Sequence, residues 1–318
     1  MGMFFAAIVF GLAGLVYSSD RLVDASSALA KNLGVSPLMI GLTIIALGTS
    51  APEILVSATA AMGGHGPLAV GNALGSNIAN IGLILGITAL IAPLTVAKEL
   101  VRKEGLVLLG VTCLTGLTLV DEHLSRIDAA ILLAALIALL AIVIRSARRD
   151  RSQNTDSTHI PTMSNGSASV WLLFSLAALL ACSKALVWGA VGIAESYGVN
   201  EALIGLTLVA IGTSLPELAA SVAAAMKGEQ DIAVGNVVGS NILNLIAVLP
   251  IAALIQPFSI TSELLYRDFV IMLGFTITLI LMIWIKIKGA RGINRIEGGV
   301  LLVTYAAYIA YIGRHTFF

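Results

Sequence analysis

The sequence predicts an all-α polytopic membrane protein with ten transmembrane helices in two inverted five-helix repeats. Three observations predict it. Of 318 residues, 58% are hydrophobic and only 11% charged, where a soluble globular chain carries roughly 25% charged residues. Apolar segments of about 20 residues, the length that spans a bilayer, recur along the whole chain. The chain also matches itself at a shift of 164 residues.

The first half is expected to form helices at 3–30, 37–62, 67–91, 104–120 and 128–146. The first, opening MGMFFAAIVFGLAG, lacks a basic leader segment and reads as a retained span. The second and third begin at prolines, Pro37 and Pro67, which suit a first helical turn; the fifth begins at Asp128 and ends at a basic cluster. The second half is expected to form helices at 168–195, 201–226, 231–255, 268–286 and 294–313. Glu201, Asp231 and Asp268 open three of these, and Lys227 and Lys286 close two. The polar stretch RRDRSQNTDSTHIPTMSNGS, 148–167, is too short for a domain and reads as a cytoplasmic linker between repeats 1–147 and 168–318.

Loop charges orient the spans. One side carries Lys31, then Lys98, Arg102 and Lys103, then Arg145, Arg148, Arg149 and Arg151, then Lys227, then Lys286, Lys288, Arg291 and Arg295. The other carries only Arg126, Arg267 and Arg314. The excess marks the cytoplasmic side, so both termini are expected outside the cytoplasm in a multi-pass protein of the cell (inner) membrane. Zero net charge gives no case for nucleic acid. The sequence carries no HExxH and no GxSxG, and nothing else marks an enzyme or a resident cofactor. Cys113 and Cys182 lie in apolar runs and read as buried, inert thiols. His65, His123, His159 and His315 fall at loops or helix ends and read as no ligand set.

The internal match is dense. GLTIIALGTSAPEILVSATAA (41–61) lies over GLTLVAIGTSLPELAASVAAA (205–225), with 12 of 21 positions identical. AVGNALGSNIAN (69–80) lies over AVGNVVGSNILN (233–244), with nine of 12 identical. Five helices per half is an odd number, so the second half starts on the opposite side of the membrane. Inverted repeats of this kind place ion sites near the midplane in many secondary transporters.

Within the repeated segments the residue types point to a cation site. Pro52 and Pro216 cannot donate to the carbonyls of Gly48 and Gly212. Such breaks are tolerated at membrane depth where the freed oxygens, around Ala46–Gly48 and Ala210–Gly212, line a cavity or meet a ligand. Glu53 and Glu217 follow the prolines, each four residues after a threonine, Thr49 or Thr213, and hence on the same helix face. Ser76 and Asn80, like Ser240 and Asn244, are also four apart. Carboxylates, amides, hydroxyls and carbonyls are hard oxygen donors, suited to Ca²⁺ or Na⁺ rather than zinc or copper. A membrane-buried carboxylate costs about 3 kcal/mol on insertion scales and usually serves function. Gly71, Gly75, Gly82, Gly86, Gly235 and Gly239 offer small faces for close helix approach. Ser57 and Ser221 read as packing residues. Asp20 and Asp24 read as a local ion pair with Arg21 or the lining of an access path, Lys184 as a snorkelling or paired lysine, and Asn80 and Asn244 alternatively as helix–helix bridges.

GTSAPE and GTSLPE, each followed by a GN..GSNI..N segment, resemble the two α-repeats of the cation/Ca²⁺ antiporter superfamily, which includes the sodium/calcium exchangers. The likeness covers nearly the whole chain and is nearest to bacterial-type members without a large regulatory loop. It implies alternating access, with Ca²⁺ and Na⁺ as transported ligands. Glu53 and Glu217 would be the main carboxylate ligands. Thr49, Ser50, Thr213 and Ser214, with Ser76, Asn80, Ser240 and Asn244, would help to hold ions. The likeness also implies that the first and sixth helices move to open alternate sides. Some exchangers of this type carry aspartate where this chain has Asn244, so this chain offers one charge fewer. H⁺-coupled or K⁺-dependent divalent-cation exchange is therefore the nearest alternative, since a desolvated glutamate can carry a proton. A passive cation channel is the alternative of another class.

Overall fold

The computed structural model describes residues 1–95, 98–149, 163–198, 210–284 and 292–317. Most of the expected linker, and the start of the expected helix 201–226, lie outside them. The described residues are helical apart from their turns and two antiparallel bridges, Leu94–Thr95 with Gly292–Ile293 and His123–Leu124 with Phe258–Ser259. In chain order the helices are α1 (Gly2–Leu33), α2 (Pro37–Thr49), α3 (Ala51–Met62), α4 (Gly66–Ile91), α5 (Lys98–Leu119), α6 (Arg126–Arg149), α7 (Asn165–Ser196), α8 (Ala210–Thr213), α9 (Leu215–Met226), α10 (Gln230–Ile255), α11 (Leu264–Trp284) and α12 (Arg295–Phe317). Seven of the described helices are long and apolar enough to cross a membrane, or eight if α2 and α3 form one bent span.

Helix ends follow local chemistry. Ser36 caps α2 through its hydroxyl, with Pro37 at the first position. Gly34 closes α1 in the left-handed conformation, φ 66°. Lys98, Arg102 and Lys103, expected in a loop before residue 104, are instead the first turns of α5.

Two compact units divide the chain, each built from both halves. The first is Met1–Glu53 with Ala138–Gly239. In it α1 lies along α7 through small residues: a Cβ on Gly11 would stand 3.0 Å from the Cys182 carbonyl, and one on Gly189 2.7 Å from the Phe4 carbonyl. Gly41 of α2 likewise faces Gly235 of α10 backbone to backbone. The second unit is Ile54–Ile137 with Ser240–Phe318. Its core gathers Leu74, Ile78, Ile81, Ile84 and Leu85 with Leu245 and Ile246. There Gly82 abuts Phe275 and Tyr305, and Gly86 abuts Gly298.

Two minor expectations change. Cys113 is exposed and Cys182 only half-buried, because apolar runs on spanning helices turn outward as well as inward. Asp24 is 3.9 Å from Arg21, but its close partner is Lys227 Nζ at 2.6 Å. That ammonium also meets Asp20 Oδ1 and the Asp20 carbonyl, both at 2.8 Å, and so ties α1 to the segment after α9. Lys184 is exposed.

Candidate ion-binding site

The break at Pro52 is present: α2 and α3 meet at 43°. Ser50, at the bend, has φ −78° and ψ 5°, and its repeat equivalent Ser214 has φ −88° and ψ 0°. Each break puts its glutamate in the first turn of a fresh helix, Glu53 in α3 and Glu217 in α9. Unpaired N–H groups and the macrodipole favour negative charge there.

In the first unit both acids are 1% exposed. Ser50 Oγ, from the first repeat, donates to Glu217 Oε1, from the second, at 3.4 Å. Among the described residues Glu217 Oε2 and Ser214 Oγ have no hydrogen-bond partner, although both are buried. A buried carboxylate oxygen without a donor is costly, and a cation removes that cost. Thr49 is fully buried and donates to Asn236 Oδ1 at 3.2 Å; Thr213 is half-buried.

The freed carbonyls are treated unequally. The Gly212 carbonyl, deprived of its N–H by Pro216, accepts the Ser183 hydroxyl of α7 at 3.1 Å. Ser19, which stands at the equivalent place in α1, bonds its own helix at the Val16 carbonyl. The Ala46 carbonyl accepts the Ser50 N–H at 3.0 Å and the Thr49 hydroxyl at 3.4 Å. Ala210 opens α8.

The second unit holds the amides. Asn80 Nδ2 donates to Asn241 Oδ1 at 2.9 Å, and Asn244 Nδ2 to Asn77 Oδ1 at 3.0 Å. These are repeat-equivalent exchanges between α4 and α10. Both helices slip into a π-turn at the asparagine, Asn80–Leu85 and Asn244–Val248, a distortion frequent at functional sites. Asn80 Oδ1, Asn244 Oδ1 and Ser240 Oγ are buried without a partner among the described residues. Ser76 is buried on the same helix as Asn80. Asparagine thus both bridges helices and leaves an oxygen over.

Sequence reasoning missed Asn77, Asn241, Asn72 and Asn236. Asn236 Nδ2 bonds Ser221 Oγ at 3.0 Å and the Glu217 carbonyl at 3.2 Å. Its equivalent Asn72 bonds Ser57 at 3.0 Å. Ser57 and Ser221, expected to serve packing, are therefore hydrogen-bond acceptors. The signal was present: all four asparagines are identities within the duplicated GN..GSN segment, and Asn77 and Asn80 share a helix face at a spacing of three. Among the described residues no three His, Cys, Asp or Glu side chains cluster.

Long apolar helices, broken at buried acids, define a multi-pass membrane protein of the ion-transporter class. The family model described as sodium/calcium exchanger protein matches residues 3–145 and 167–313. The candidate antiporter CaxA of Alkalimonas amylolytica is 44% identical over 95% of this chain and 96% of its own. Inner membrane protein YrbG of Escherichia coli K12 is 40% identical over 95% of each. A solved structure of the sodium–calcium exchanger NCX_Mj aligns with a TM-score of 0.83 at 33% identity, over 97% of this chain and 98% of that one. The chain belongs to the sodium/calcium exchanger family. It is a membrane transport protein and not an enzyme.

Proposed function

We propose that the protein is a secondary active antiporter that exchanges Ca²⁺ for Na⁺ by alternating access. In this reading ten helices form two inverted repeats, 1–147 and 168–318, joined by a cytoplasmic linker, with both termini outside the cytoplasm of a cell membrane. One observation carries it. Two acids, one from each repeat, are buried in one compact unit, and the first repeat's Ser50 hydroxyl lies on the second repeat's carboxylate.

Ionised, Glu53 and Glu217 supply the charge that a dehydrated Ca²⁺ needs. Thr49, Ser50, Thr213, Ser214 and the Ala46 and Ala210 carbonyls add neutral oxygens, as do Ser76, Asn80, Ser240 and Asn244 in the amide cluster. Sodium ions compete for these oxygens, and mutually exclusive occupancy couples the two fluxes. Ca²⁺ and Na⁺ are cargo, and no resident cofactor is needed.

The neutral amides at both 80 and 244 favour a second reading, in which H⁺, or Na⁺ together with K⁺, drives the divalent ion. The discriminating experiment is ⁴⁵Ca²⁺ flux in proteoliposomes with Na⁺, K⁺ and H⁺ gradients imposed one at a time. Uphill uptake on the Na⁺ gradient alone is the expected result. Uptake driven only by the pH gradient would replace Na⁺ with H⁺ as counter-ion, and purely downhill flux would make the protein a channel.

A further inference from the structure

The two glutamate-bearing helices end on the same turn. After α9, Gly228 is left-handed at φ 79°, and the Glu229 and Gly228 N–H groups return to the Ala224 and Ala225 carbonyls at 2.8 and 3.1 Å. After α3, Gly64 has φ 78°, and the His65 and Gly64 N–H groups return to the Ala60 and Ala61 carbonyls at 2.8 and 3.0 Å. The backbones match, but the side chain at the helix end does not. Position 227 is lysine and its repeat equivalent, 63, is glycine.

Lys227 spends its whole donor set on α1. Its ammonium meets Asp24 Oδ1 at 2.6 Å, Asp20 Oδ1 at 2.8 Å and the Asp20 carbonyl at 2.8 Å, which accounts for all three N–H donors. The side chains of Lys227 and Asp24 are 25% and 17% exposed, so salt screens this pair less than an open surface pair. The repeat equivalents of Asp20 and Asp24 are Lys184 and Trp188 of α7. With no carboxylate there and no amine at 63, the chain cannot build this tie a second time. The compact units divide in the same way: α9 shares a unit with α1, while most of α3 belongs to the other.

We propose that Lys227 is a positioning residue: with Asp20 and Asp24 it clamps α1 to the end of the Glu217 helix, and so holds one end of the protein shut against cations. The Asp20 side chain is half-exposed, so the clamp stands at the water. Glu217 is ten residues back, about 15 Å along α9, and is buried. Between the two, Ala220, Ser221 and Ala224 are buried, and α1 packs along α9. The route to Glu217 on this side of α9 opens only when α1 and α9 part, and parting them breaks the clamp. The role assigned to the clamp rests on the exchange reading above.

The test is ⁴⁵Ca²⁺ uptake into right-side-out and inside-out membrane vesicles, on whichever cation gradient drives wild type. It compares the half-saturating Ca²⁺ concentration at the two faces. The variants are Lys227→Met, Lys227→Arg and the neutral triple variant Asp20→Asn/Asp24→Asn/Lys227→Met. Without the clamp the protein is open more often at this end, so the half-saturating concentration is expected to fall there and rise at the other face. The ratio of the two is expected to move by roughly threefold to tenfold in Lys227→Met and in the triple variant. Lys227→Arg restores the charge and is expected to rescue the ratio. The triple variant leaves no carboxylate unpaired, so it is expected to melt higher than Lys227→Met and still keep the altered ratio. It carries the test if Lys227→Met fails to fold. An unmoved ratio, equal changes at both faces, or a ratio that returns to wild type as Tm recovers overturns the clamp. A wild type driven by H⁺ alone replaces the counter-ion of the exchange reading and leaves the clamp to be decided by the ratio. A wild type that moves no Ca²⁺ on any gradient overturns both.

Discussion

Replacing Gly239 by alanine tests how tightly α10 is seated on α2. A Cβ at Gly239 would stand 2.7 Å from both Leu42 Cα and Ala46 Cβ, and closer still to the Leu42 carbonyl. Carbon pairs settle at about 3.5–4.0 Å, so the two helices must part by about 1 Å. The opposing atoms are backbone or a bare methyl, and none can swing aside. Overpacking of this kind costs about 1–3 kcal/mol, less the roughly 1 kcal/mol that alanine gains over glycine in a helix. The expected net loss is about 0–2 kcal/mol, a fall in Tm of up to roughly 8 °C. Gly274→Ala is the control, since no described heavy atom lies within 4 Å of its Cβ position; it is expected to hold or raise Tm. Transport should suffer more than stability. α2 carries Thr49 and ends at Ser50, whose hydroxyl reaches Glu217 at 3.4 Å, already a long bond. Melting in detergent and Ca²⁺ flux in liposomes read the two effects separately. A Gly239→Ala protein as stable and as active as wild type would refute the close-contact argument.

Two further outcomes are expected. Ser183→Ala strips the Gly212 carbonyl of its donor and should cost about 1–3 kcal/mol by thermal melt, the penalty for an unpaired buried acceptor. Ser19→Ala, at the equivalent position, should cost little, because Ser19 bonds only its own helix. Glu229, just before α10, has its carboxyl pushed up by burial, with the Asp231 charge adding to the rise. A raised folded value means that ionisation is resisted in the fold, so its contribution worsens as pH rises through and above the ordinary carboxylate range. Glu229→Gln should therefore melt higher than wild type at pH 7 and no higher at pH 4; a gain independent of pH would contradict the assignment.

The helices and their breaks were legible because membrane spans are written in long apolar runs, and Pro52 interrupts one of these at a fixed place. Glu53 and Glu217 were legible because a carboxylate repeated beside a proline in apolar sequence has few other uses. What stayed hidden depends on partners distant in the chain. Ser183 lies 29 residues from the carbonyl it satisfies, and nothing in helix periodicity links them. Asn77 and Asn241 carry no assignment until α4 and α10 are brought side by side, because an amide's two ends look alike in sequence and only a neighbouring acceptor distinguishes them. The bond from Lys227 to Asp24 spans 203 residues and outcompeted the adjacent Arg21, whose guanidinium lies over the Tyr17 ring instead.

The account rests on Glu53 and Glu217 acting as one cation-binding pair. The most direct test is uphill ⁴⁵Ca²⁺ accumulation on an outward Na⁺ gradient by wild type, Glu53→Ala and Glu217→Ala in proteoliposomes. The account predicts robust accumulation by wild type and loss of it in each variant, with folding retained. Accumulation undiminished in either variant would contradict it.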